Sequence, residues 1–487
     1  MSGEKSMKPK NEQPAAKRAE SSSKADPLIE EYLDRVCARI RAKELHPELR
    51  EEIRGHIEEL MAEKEEEGLS PVEAATWALT QMGDADEVGG TLGQVHRPKL
   101  NWRLLIPLAV MMAFALLALF SLAATGEGVY SQFNPGTRQL FFYALGWVAL
   151  IVCIFVDYRI FKKHALGLYA FTVVSTVLLL ESPFVMSLNG NMNWVLVGPF
   201  TIDVSVYMFV LFVLALPGVL ERLLLQNKKR TNLRQLLAVG AIVLPVLLYV
   251  FFDLLNWLML AAYLIAAFTL YIRSGGSRLY IYGLSAAAFA WMAGLYVYVD
   301  HWQARVQSVF APQLQNDANN YLNDSIGHAV RNAGWFGKGF GQSGNLLVYA
   351  HAESMLPYLT YSFGWVAAGL LVASIVGLII LLLRTVRKIG DAYGRLLATG
   401  LSILLACQLI YGIGASFNLL PFTTLSLPFM GYGGFSTMIH FAIFGLILGI
   451  YRRKDMIPTR ATRLPEADNR LIFRIGGFEL YANRGKR

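Results

Sequence analysis

The sequence predicts an all-α polytopic membrane protein of about ten transmembrane helices, preceded by a small soluble helical domain. The chain has 487 residues, of which 54% are hydrophobic and only 16% are charged, whereas soluble proteins usually contain about 25% charged residues. After residue 100, apolar runs of about 20 residues recur, and each is long enough to cross roughly 30 Å of hydrocarbon. The loops between these runs alternate between basic and non-basic, a pattern typical of membrane topology.

The first 26 residues predict a disordered tail. They are rich in Lys, Ser, Ala and Glu and contain no large apolar residue other than Met, so they cannot form a buried core. They also lack the apolar stretch of a cleavable signal peptide, and we therefore expect none.

Residues 27–95 predict a soluble domain of three or four helices, because apolar residues recur there at helical spacing. Ser70 and Glu73 form a capping box around Pro71, and Gly83 marks a helix end. The segment resembles the short prefix domain that precedes several bacterial permease-like proteins. Two interpretations stay open: a regulatory or partner-docking module, and a soluble appendage without separable activity.

The membrane domain is predicted over residues 101–455. Its ten candidate spans are residues 103–124, 139–157, 165–185, 204–220, 235–251, 254–272, 280–298, 356–383, 393–416 and 435–451.

Loop charges predict the orientation. Loops 158–164, 221–234, 273–278 and 384–395 are basic, as is the tail over residues 456–487, whereas the intervening loops 125–138, 186–203 and 417–434 together hold one basic residue, Arg138. Cytoplasmic loops carry the excess of Lys and Arg, so we expect both termini in the cytoplasm and loop 299–354 outside.

The loop over residues 299–354 is too long for a simple connector, and loops of this length are usually functional or disordered. Its many apolar residues argue against disorder. Residues 322–330 predict a short helix in the membrane interface, followed by glycines that permit tight turns. His351 and Glu353 then stand at the mouth of a span, where ionisable groups are costly without a partner or a role.

Four sequence blocks resemble the SEDS family, which includes FtsW, RodA and SpoVE, and they occur in that family's order. They are Asn189-Gly190 with Trp194 and Gly198-Pro199-Phe200; Asp253-Leu254; Tyr321, Ser325 and Gly337-Lys338-Gly339 with Ala350-His351-Ala352-Glu353; and Leu427-Pro428-Phe429 with Tyr432-Gly433-Gly434-Phe435-Ser436.

The resemblance implies that the chain is a peptidoglycan glycosyltransferase of the bacterial cytoplasmic membrane, which polymerises lipid II in cell division, elongation or sporulation. It implies lipid II and a class B penicillin-binding protein as partners, within the lipid bilayer. The family's catalytic Asp aligns with Glu353, which we expect to act as the general base of an inverting transfer.

The resemblance also implies substrate-binding and structural roles for other residues. The expected substrate-binding residues are Tyr321, Ser325, Lys338, His351, Trp194, Asp253 and Tyr432. The expected structural glycines are Gly337, Gly339, Gly433 and Gly434, with close backbone approach expected at the last two. Backbone N–H groups around Lys338 predict an anion nest for pyrophosphate.

Simpler interpretations stay open for most of these residues. Glu353 and Lys338 can be solvated loop residues, His351 a hydrogen-bonded boundary residue, and Asp253 a helix cap.

Departures from the family pattern keep two other functions open. Ala352, Tyr361 and Ser362 replace polar or acidic family residues, and Asn193 replaces an arginine. A catalytically impaired scaffold for a penicillin-binding protein is one alternative, and a transporter of lipid-linked precursors is the other.

No cofactor is predicted. The cysteines are too far apart for a disulfide framework or a metal site, and no dedicated metal site is expected. A divalent cation site formed by Asp317 and Asp324 with Glu353 stays open as an alternative. Basic motifs interleaved with aromatic residues are absent, so no nucleic acid partner is expected.

Overall fold

The computed structural model describes most of the chain. The described residues are 15–40, 46–95, 100–126, 134–188, 191–197, 200–225, 232–252, 254, 256–298, 303–304, 306–307, 310–311, 317–342, 347, 349–421, 425–454, 471–475 and 478–481. They fall into two compact units, Met1–Lys99 with Arg453–Arg487 and Leu100–Arg452.

The first unit contains four amphipathic helices. They are α1 (Ala15–Arg39), α2 (His46–Glu66), α3 (Pro71–Met82) and α4 (Ala85–Val95). Their apolar faces form a common core that includes the fully buried Leu33, Val36 and Ile53. The predicted capping box is present, since Ser70 Oγ accepts from Glu73 N (3.4 Å) and Ser70 N donates to Glu73 Oε2 (3.1 Å).

The N-terminal tail differs from the prediction. Helix α1 begins at Ala15, so residues 15–26, expected to be disordered, are helical. This stretch contains four Ala and two Lys, which favour the helix without needing a buried face. Residues 1–14 lie outside the described part of the chain.

The second unit is built from apolar helices. Those before the long loop are α5 (Leu105–Ala124), α6 (Pro135–Phe155), the short α7 (Arg159–Lys163), α8 (Ala165–Leu180), α9 (Val204–Leu220), α10 (Asn232–Phe251), α11 (Trp257–Arg273) and α12 (Arg278–Tyr298). The loop contributes α13 (Asp317–Arg331), and the remaining helices are α14 (Met355–Arg387), α15 (Ala392–Ser416) and α16 (Gly434–Arg452).

The prediction of a helical polytopic membrane protein is confirmed. Among the described residues, eight helices are long and apolar enough to cross a membrane. Two shorter apolar helices, α8 and α11, occupy two further predicted span positions. Residues 322–330 are helical as predicted, as part of the longer α13.

Helix α9 lies at the centre of the membrane unit, in contact with α8, α10, α11 and α15. Nearly all of its side chains are buried. Helices α6 and α16 form the most extensive helix pair of the unit. A Cβ at Gly445 would lie 2.5 Å from Leu150 O, and one at Gly449 would lie 2.8 Å from Ile154 O. The two glycines thus form a GxxxG motif that brings the two backbones together.

The membrane unit also contains a small sheet that the all-α prediction left out. Its antiparallel strands are β1 (Val185–Leu188), β2 (Asn191–Val197) and β3 (Phe200–Asp203), in that order. The sheet connects α8 to α9, and β3 packs against α16.

A second hairpin lies in the tail, for which only a basic character was predicted. It consists of β4 (Leu471–Ile475) and β5 (Phe478–Tyr481), which pair antiparallel. Two adjacent glycines separate strand-forming residues there, which is a hairpin signal.

Helix α14 has 33 residues and would extend about 50 Å if it were continuous, well beyond a bilayer's hydrocarbon thickness. It is broken at Gly364, whose φ of 83° and ψ of 176° are non-helical. The part from Trp365 to Arg387 spans about 35 Å, which suits one crossing. The short part from Met355 to Phe363 therefore belongs to the end of the bundle that carries Glu353.

Candidate functional site

Glu353 lies in the turn that precedes α14. Its Oε2 atom is buried and has no hydrogen-bond partner among the described residues. Burial raises the pKa of Glu353 to about 7, because the charged carboxylate loses hydration without gaining a cation. A carboxyl group with this pKa exchanges protons readily at neutral pH.

The pocket around Glu353 is mostly apolar and is formed by three segments. Its other lining residues are Ile326 of α13, Gly412, Ala415 and Ser416 at the end of α15, and Leu425 and Leu427. The space is narrow, with room for about one water molecule. The apolar lining accounts for the desolvation of the carboxyl group.

His351 and Tyr432 lie together beside this turn. Their ring centroids are 5.9 Å apart in an edge-on arrangement, and Tyr432 N donates to His351 O (3.0 Å). Tyr432 also contacts Phe142 near the start of α6, at 5.8 Å between ring centroids. Burial lowers the pKa of His351, so its ring is uncharged at neutral pH. The structure thus joins two of the predicted substrate-binding residues next to Glu353.

The glycine-rich stretch around Lys338 crosses the break in α14. Four backbone hydrogen bonds, which we call the Gly364 clasp, join residues 334–339 to residues 361–366: Lys338 N to Tyr361 O (3.0 Å), Gly339 N to Ser362 O (2.9 Å), Trp365 N to Gly334 O (3.1 Å) and Val366 N to Trp335 O (3.2 Å). In an unbroken helix, the N–H groups of Trp365 and Val366 would donate to the carbonyls of Tyr361 and Ser362. The loop therefore supplies the missing partner to each of these four groups.

Two glycines make the clasp sterically feasible. A Cβ at Gly337 would lie 2.3 Å from Ser362 O, and one at Gly364 would lie 2.2 Å from Trp335 O. Gly337 and Gly339 have φ values of 79° and 110°, which side chains disfavour. The N–H groups of Lys338 and Gly339 serve the helix, so they do not form the expected anion nest. The Lys338 side chain is exposed.

The loop continues from the clasp onto α5. Gly341 N donates to Ser121 Oγ (3.0 Å), and the Tyr358 hydroxyl lies 3.0 Å from the same oxygen. Tyr358 also donates to Gln342 O (3.2 Å). These contacts fix the short helical segment that follows Glu353.

The two glycines before α16 differ in their surroundings. A Cβ at Gly434 would lie 2.6 Å from the Phe142 ring, so this position allows α6 and α16 to approach closely. A Cβ at Gly433 would meet only Ser436 Cβ, at 3.8 Å, and close approach is not required there.

Tyr321 and Ser325 lie on α13, one helical turn apart. Tyr321 is exposed and Ser325 is partly buried. Asn418, which follows α15, donates from Nδ2 to Asn323 O (2.6 Å) and holds α13 against the end of α15.

The last two predicted substrate-binding residues lie elsewhere. Trp194 is on the central strand β2, where it pairs in register with Met186 and Asp203. Asp253 lies outside the described residues.

A buried polar cluster at the start of α9 was missed in the sequence analysis. Asp203 Oδ1 accepts from Ser205 N (2.9 Å) and Val206 N (3.3 Å), and Asn256 Nδ2 donates to Asp203 Oδ2 (3.3 Å). Burial raises the pKa of Asp203 despite these bonds. An Asp two residues before a Ser, followed by an apolar run, is the N-cap signal that predicts this arrangement.

The structure also reveals polar residues of α6 that face α16 and the segment before it. Gln139 Nε2 donates to Thr437 Oγ1 (3.3 Å), and the Tyr143 hydroxyl donates to Phe429 O (2.6 Å). Phe429 has a φ of 67°, so this bond stabilises a strained turn next to Tyr432. The sequence signal for Gln139 and Tyr143 was the presence of polar side chains within an apolar run.

Metal binding gains no support from the described residues. No three His, Cys, Asp or Glu side chains among them lie close enough to hold a metal ion together. Asp324 is exposed on α13.

Comparison with known proteins shows similarity to one protein family. The model of the FtsW, RodA and SpoVE family, described as cell cycle proteins, matches residues 101–456. A relative from Trichlorobacter lovleyi, named probable peptidoglycan glycosyltransferase FtsW, is 25% identical over 73% of this chain and 94% of its own length. A relative of the same name from Geobacter sp. is 24% identical over 71% of this chain and 94% of its own.

Two solved structures share the fold. A chain of a peptidoglycan synthase complex, studied for the structural coordination of polymerization and crosslinking, has a TM-score of 0.56 and 20% identity, covering 73% of this chain and 98% of its own. A mutant of the rod shape determining protein RodA from Thermus thermophilus has a TM-score of 0.50 and 18% identity, with the same coverage.

Proposed function

Since the chain belongs to the FtsW, RodA and SpoVE family of cell cycle proteins, we propose that it is a peptidoglycan glycosyltransferase that polymerises lipid II. The name of its relatives supports this reaction. One observation assigns the proposed reaction to Glu353. Its carboxyl group is buried and has an oxygen without a hydrogen-bond partner among the described residues. Hydration and cations would lower its pKa, and neither does so here.

The proposed chemistry is a general-base displacement. A hydroxyl group of the acceptor sugar attacks the anomeric carbon of the donor while Glu353 accepts the hydroxyl proton. The new C–O bond forms as the bond from the anomeric carbon to the pyrophosphate oxygen breaks, and the lipid pyrophosphate leaves with the electron pair. A single displacement of this kind inverts the anomeric centre.

The leaving pyrophosphate needs positive charge. His351 is uncharged at neutral pH, so it is suited to hydrogen bonding rather than to charge neutralisation. Lys338 and Arg331 are exposed cations of the same loop. The Gly364 clasp fixes the backbone of Lys338 and leaves its side chain free to turn toward a phosphate.

Substrate access requires a movement. The pocket has room for about one water molecule, whereas the acceptor must bring a sugar hydroxyl to Glu353. Helix α13 contributes Ile326 to the lining, so a movement of α13 would enlarge the pocket.

We place Glu353 at the outer face of the bacterial cytoplasmic membrane, with both termini in the cytoplasm. The charge alternation of the loops supports this orientation, because loops 158–164, 221–234 and 384–395 hold basic residues at the other end of the bundle. We further propose a class B penicillin-binding protein as partner and a soluble cytoplasmic domain over residues 27–95.

The proposal is tested by incubating purified protein with lipid II, with and without a class B penicillin-binding protein, and resolving the glycan products by length. We expect glycan chains. If folded protein binds its partner but makes no chains under any condition, the chain is a scaffold, as the departures at Ala352, Tyr361 and Ser362 would then explain. Translocation of lipid II across vesicles without polymer would identify a transporter.

The pH dependence of polymerisation is a separate prediction. The base acts only when deprotonated, and the pKa of Glu353 is about 7. The rate should therefore rise with pH through about 7 and fall about tenfold per pH unit well below it. The measurement is kcat/KM between pH 5 and 9, with thermal unfolding at each pH as the control for folding. A flat profile between pH 6 and 8 would contradict the assigned base.

A further inference from the structure

A second cavity lies at the opposite end of the membrane unit from Glu353. Helix α6 runs about 20 Å from Phe142, which contacts Tyr432, to Phe155 at this end. The cavity has a volume of about 270 Å³ and lies where the loop after α6 meets the end of α9. It is lined by Arg159, Lys162, Lys163, Gly218, Glu221 and Arg222. Among the described lining residues, four cations face one carboxylate, which gives an excess of three positive charges.

The cavity wall is held together by Arg222. Its guanidinium donates to the carbonyls of Lys162 (3.3 Å) and Lys163 (2.6 Å), which ties the end of α7 to the end of α9. Gly218 permits this approach, because a Cβ there would lie 2.5 Å from Ala165 Cβ. The basic side chains are therefore presented by a fixed backbone rather than by a free loop.

Glu221 adds a second binding function. Its Oε1 pairs with Lys162 Nζ at 2.7 Å. Its Oε2 is buried and has no hydrogen-bond partner among the described residues. A buried acceptor without a donor is costly, so a ligand that carries a hydroxyl group beside its negative charge would satisfy it.

Three exposed apolar side chains, which we call the rim, lie close in the sequence to the residues that line the cavity. Phe155, Ile160 and Leu166 are 61%, 53% and 53% exposed, and they lie at the end of α6, on α7 and at the start of α8. These positions border the membrane-spanning segments of the unit. A ligand with a phosphate head and hydrocarbon chains would match both the basic cavity and this rim.

We propose that this cavity binds the headgroup of an anionic phospholipid of the phosphatidylglycerol type. The phosphate lies among Arg159, Lys163 and Arg222, and a glycerol hydroxyl donates to Glu221 Oε2. The acyl chains lie along the apolar rim. Pockets for whole small ligands usually measure about 300 to 1,000 Å³, so this smaller cavity suits a headgroup, and basic pockets between transmembrane helices commonly bind anionic headgroups.

The experiment is native mass spectrometry of the detergent-solubilised full chain with dioctanoyl phosphatidylglycerol. Lys163→Gln should weaken binding about fivefold, and Arg159→Gln with Lys163→Gln about thirtyfold, because each surface cation contributes about 1 kcal/mol to anionic-lipid binding. Lys388→Gln is the matched control, since it removes an exposed cation from another basic loop, and we expect wild-type binding from it. Thermal unfolding should be unchanged in the Lys163→Gln and control proteins.

Two further ligands separate the sources of the anion. Dioctanoyl phosphatidylcholine, which has no net charge and no headgroup hydroxyl, should bind at least tenfold more weakly, and glycerol 3-phosphate should bind only at much higher concentration. Equal binding of both lipids would overturn the proposal, as would equal losses in Lys163→Gln and Lys388→Gln. Binding of glycerol 3-phosphate as tight as that of the lipid would identify a site for soluble phosphates instead.

Discussion

Glu353→Gln should lower the rate of lipid II polymerisation by a factor of about 100 to 10,000, which is the usual contribution of a general base. Glutamine has the same size and still accepts hydrogen bonds, but it cannot take the proton of the attacking hydroxyl group. The measurement is the initial rate of glycan formation by purified protein at pH 8, where the wild-type carboxyl group is ionised.

Two variants control for this result. Glu181→Gln makes the same change at an exposed position that follows α8, and it should keep wild-type activity. Glu353→Asp keeps a carboxyl group and should retain measurable activity, reduced or raised according to how far the shorter side chain moves the base. Wild-type activity from Glu353→Gln would exclude this residue as the base.

Glu353→Gln should also stabilise the fold at high pH. The pKa of Glu353 is raised from 4.5 to about 7, so the folded state binds the proton more tightly than the unfolded state. The free energy of unfolding of the wild type therefore falls as pH rises from about 4.5 to 7, by up to about 3 kcal/mol. Glutamine does not titrate, so Glu353→Gln should unfold at a higher temperature than wild type at pH 8. A purely structural glutamate would show the opposite order.

Gly364→Ala should destabilise the membrane unit by at least about 3 kcal/mol and reduce polymerisation at least tenfold. The φ of 83° disfavours any side chain, and the new Cβ would overlap Trp335 O and Gly337 N, which are backbone atoms held by the clasp. The segment from Met355 to Phe363 would then shift, and Glu353 with it. Thermal unfolding in detergent and the glycan assay measure the two effects.

Gly369→Ala and Gly377→Ala are the matched controls in the same helix. A Cβ at either position meets no atom within 4 Å. Alanine favours the helix more than glycine does, so each control should be neutral or stabilising by up to about 1 kcal/mol. If Gly364→Ala behaves like these two variants, the clasp does not determine the path of α14.

Much of the fold could be predicted from sequence because bilayers impose a simple length and polarity requirement. The apolar runs predicted the positions of the membrane helices, and the Ser70 to Glu73 pattern predicted the start of α3. The order of four short blocks predicted the family. Local patterns of this kind depend on residues that are near one another in the chain.

The remaining features depend on contacts between distant segments. An anion nest was predicted for the backbone around Lys338. The sequence does not show that the N–H groups of Lys338 and Gly339 donate instead to helix carbonyls beside the break at Gly364. The central position of α9 was equally hidden, since lipid and protein surroundings favour the same apolar residues. The pairing of Asp203 with Asn256 joins residues from two helices, and only its N-cap half had a local signal.

The pairing of α6 with α16 has a consequence for how the protein is made. Helix α16 is the last apolar helix that the structure describes, and its partner α6 is translated about 300 residues earlier. At a synthesis rate of about 5 to 20 residues per second, roughly 15 to 60 s separate the translation of α6 from that of α16, whose GxxxG motif packs against it. Tyr432 and Gly434 are translated together with α16, so the site beside Glu353 is completed only after α16 has been made. Nascent chains that have not yet reached α16 therefore lack part of this site.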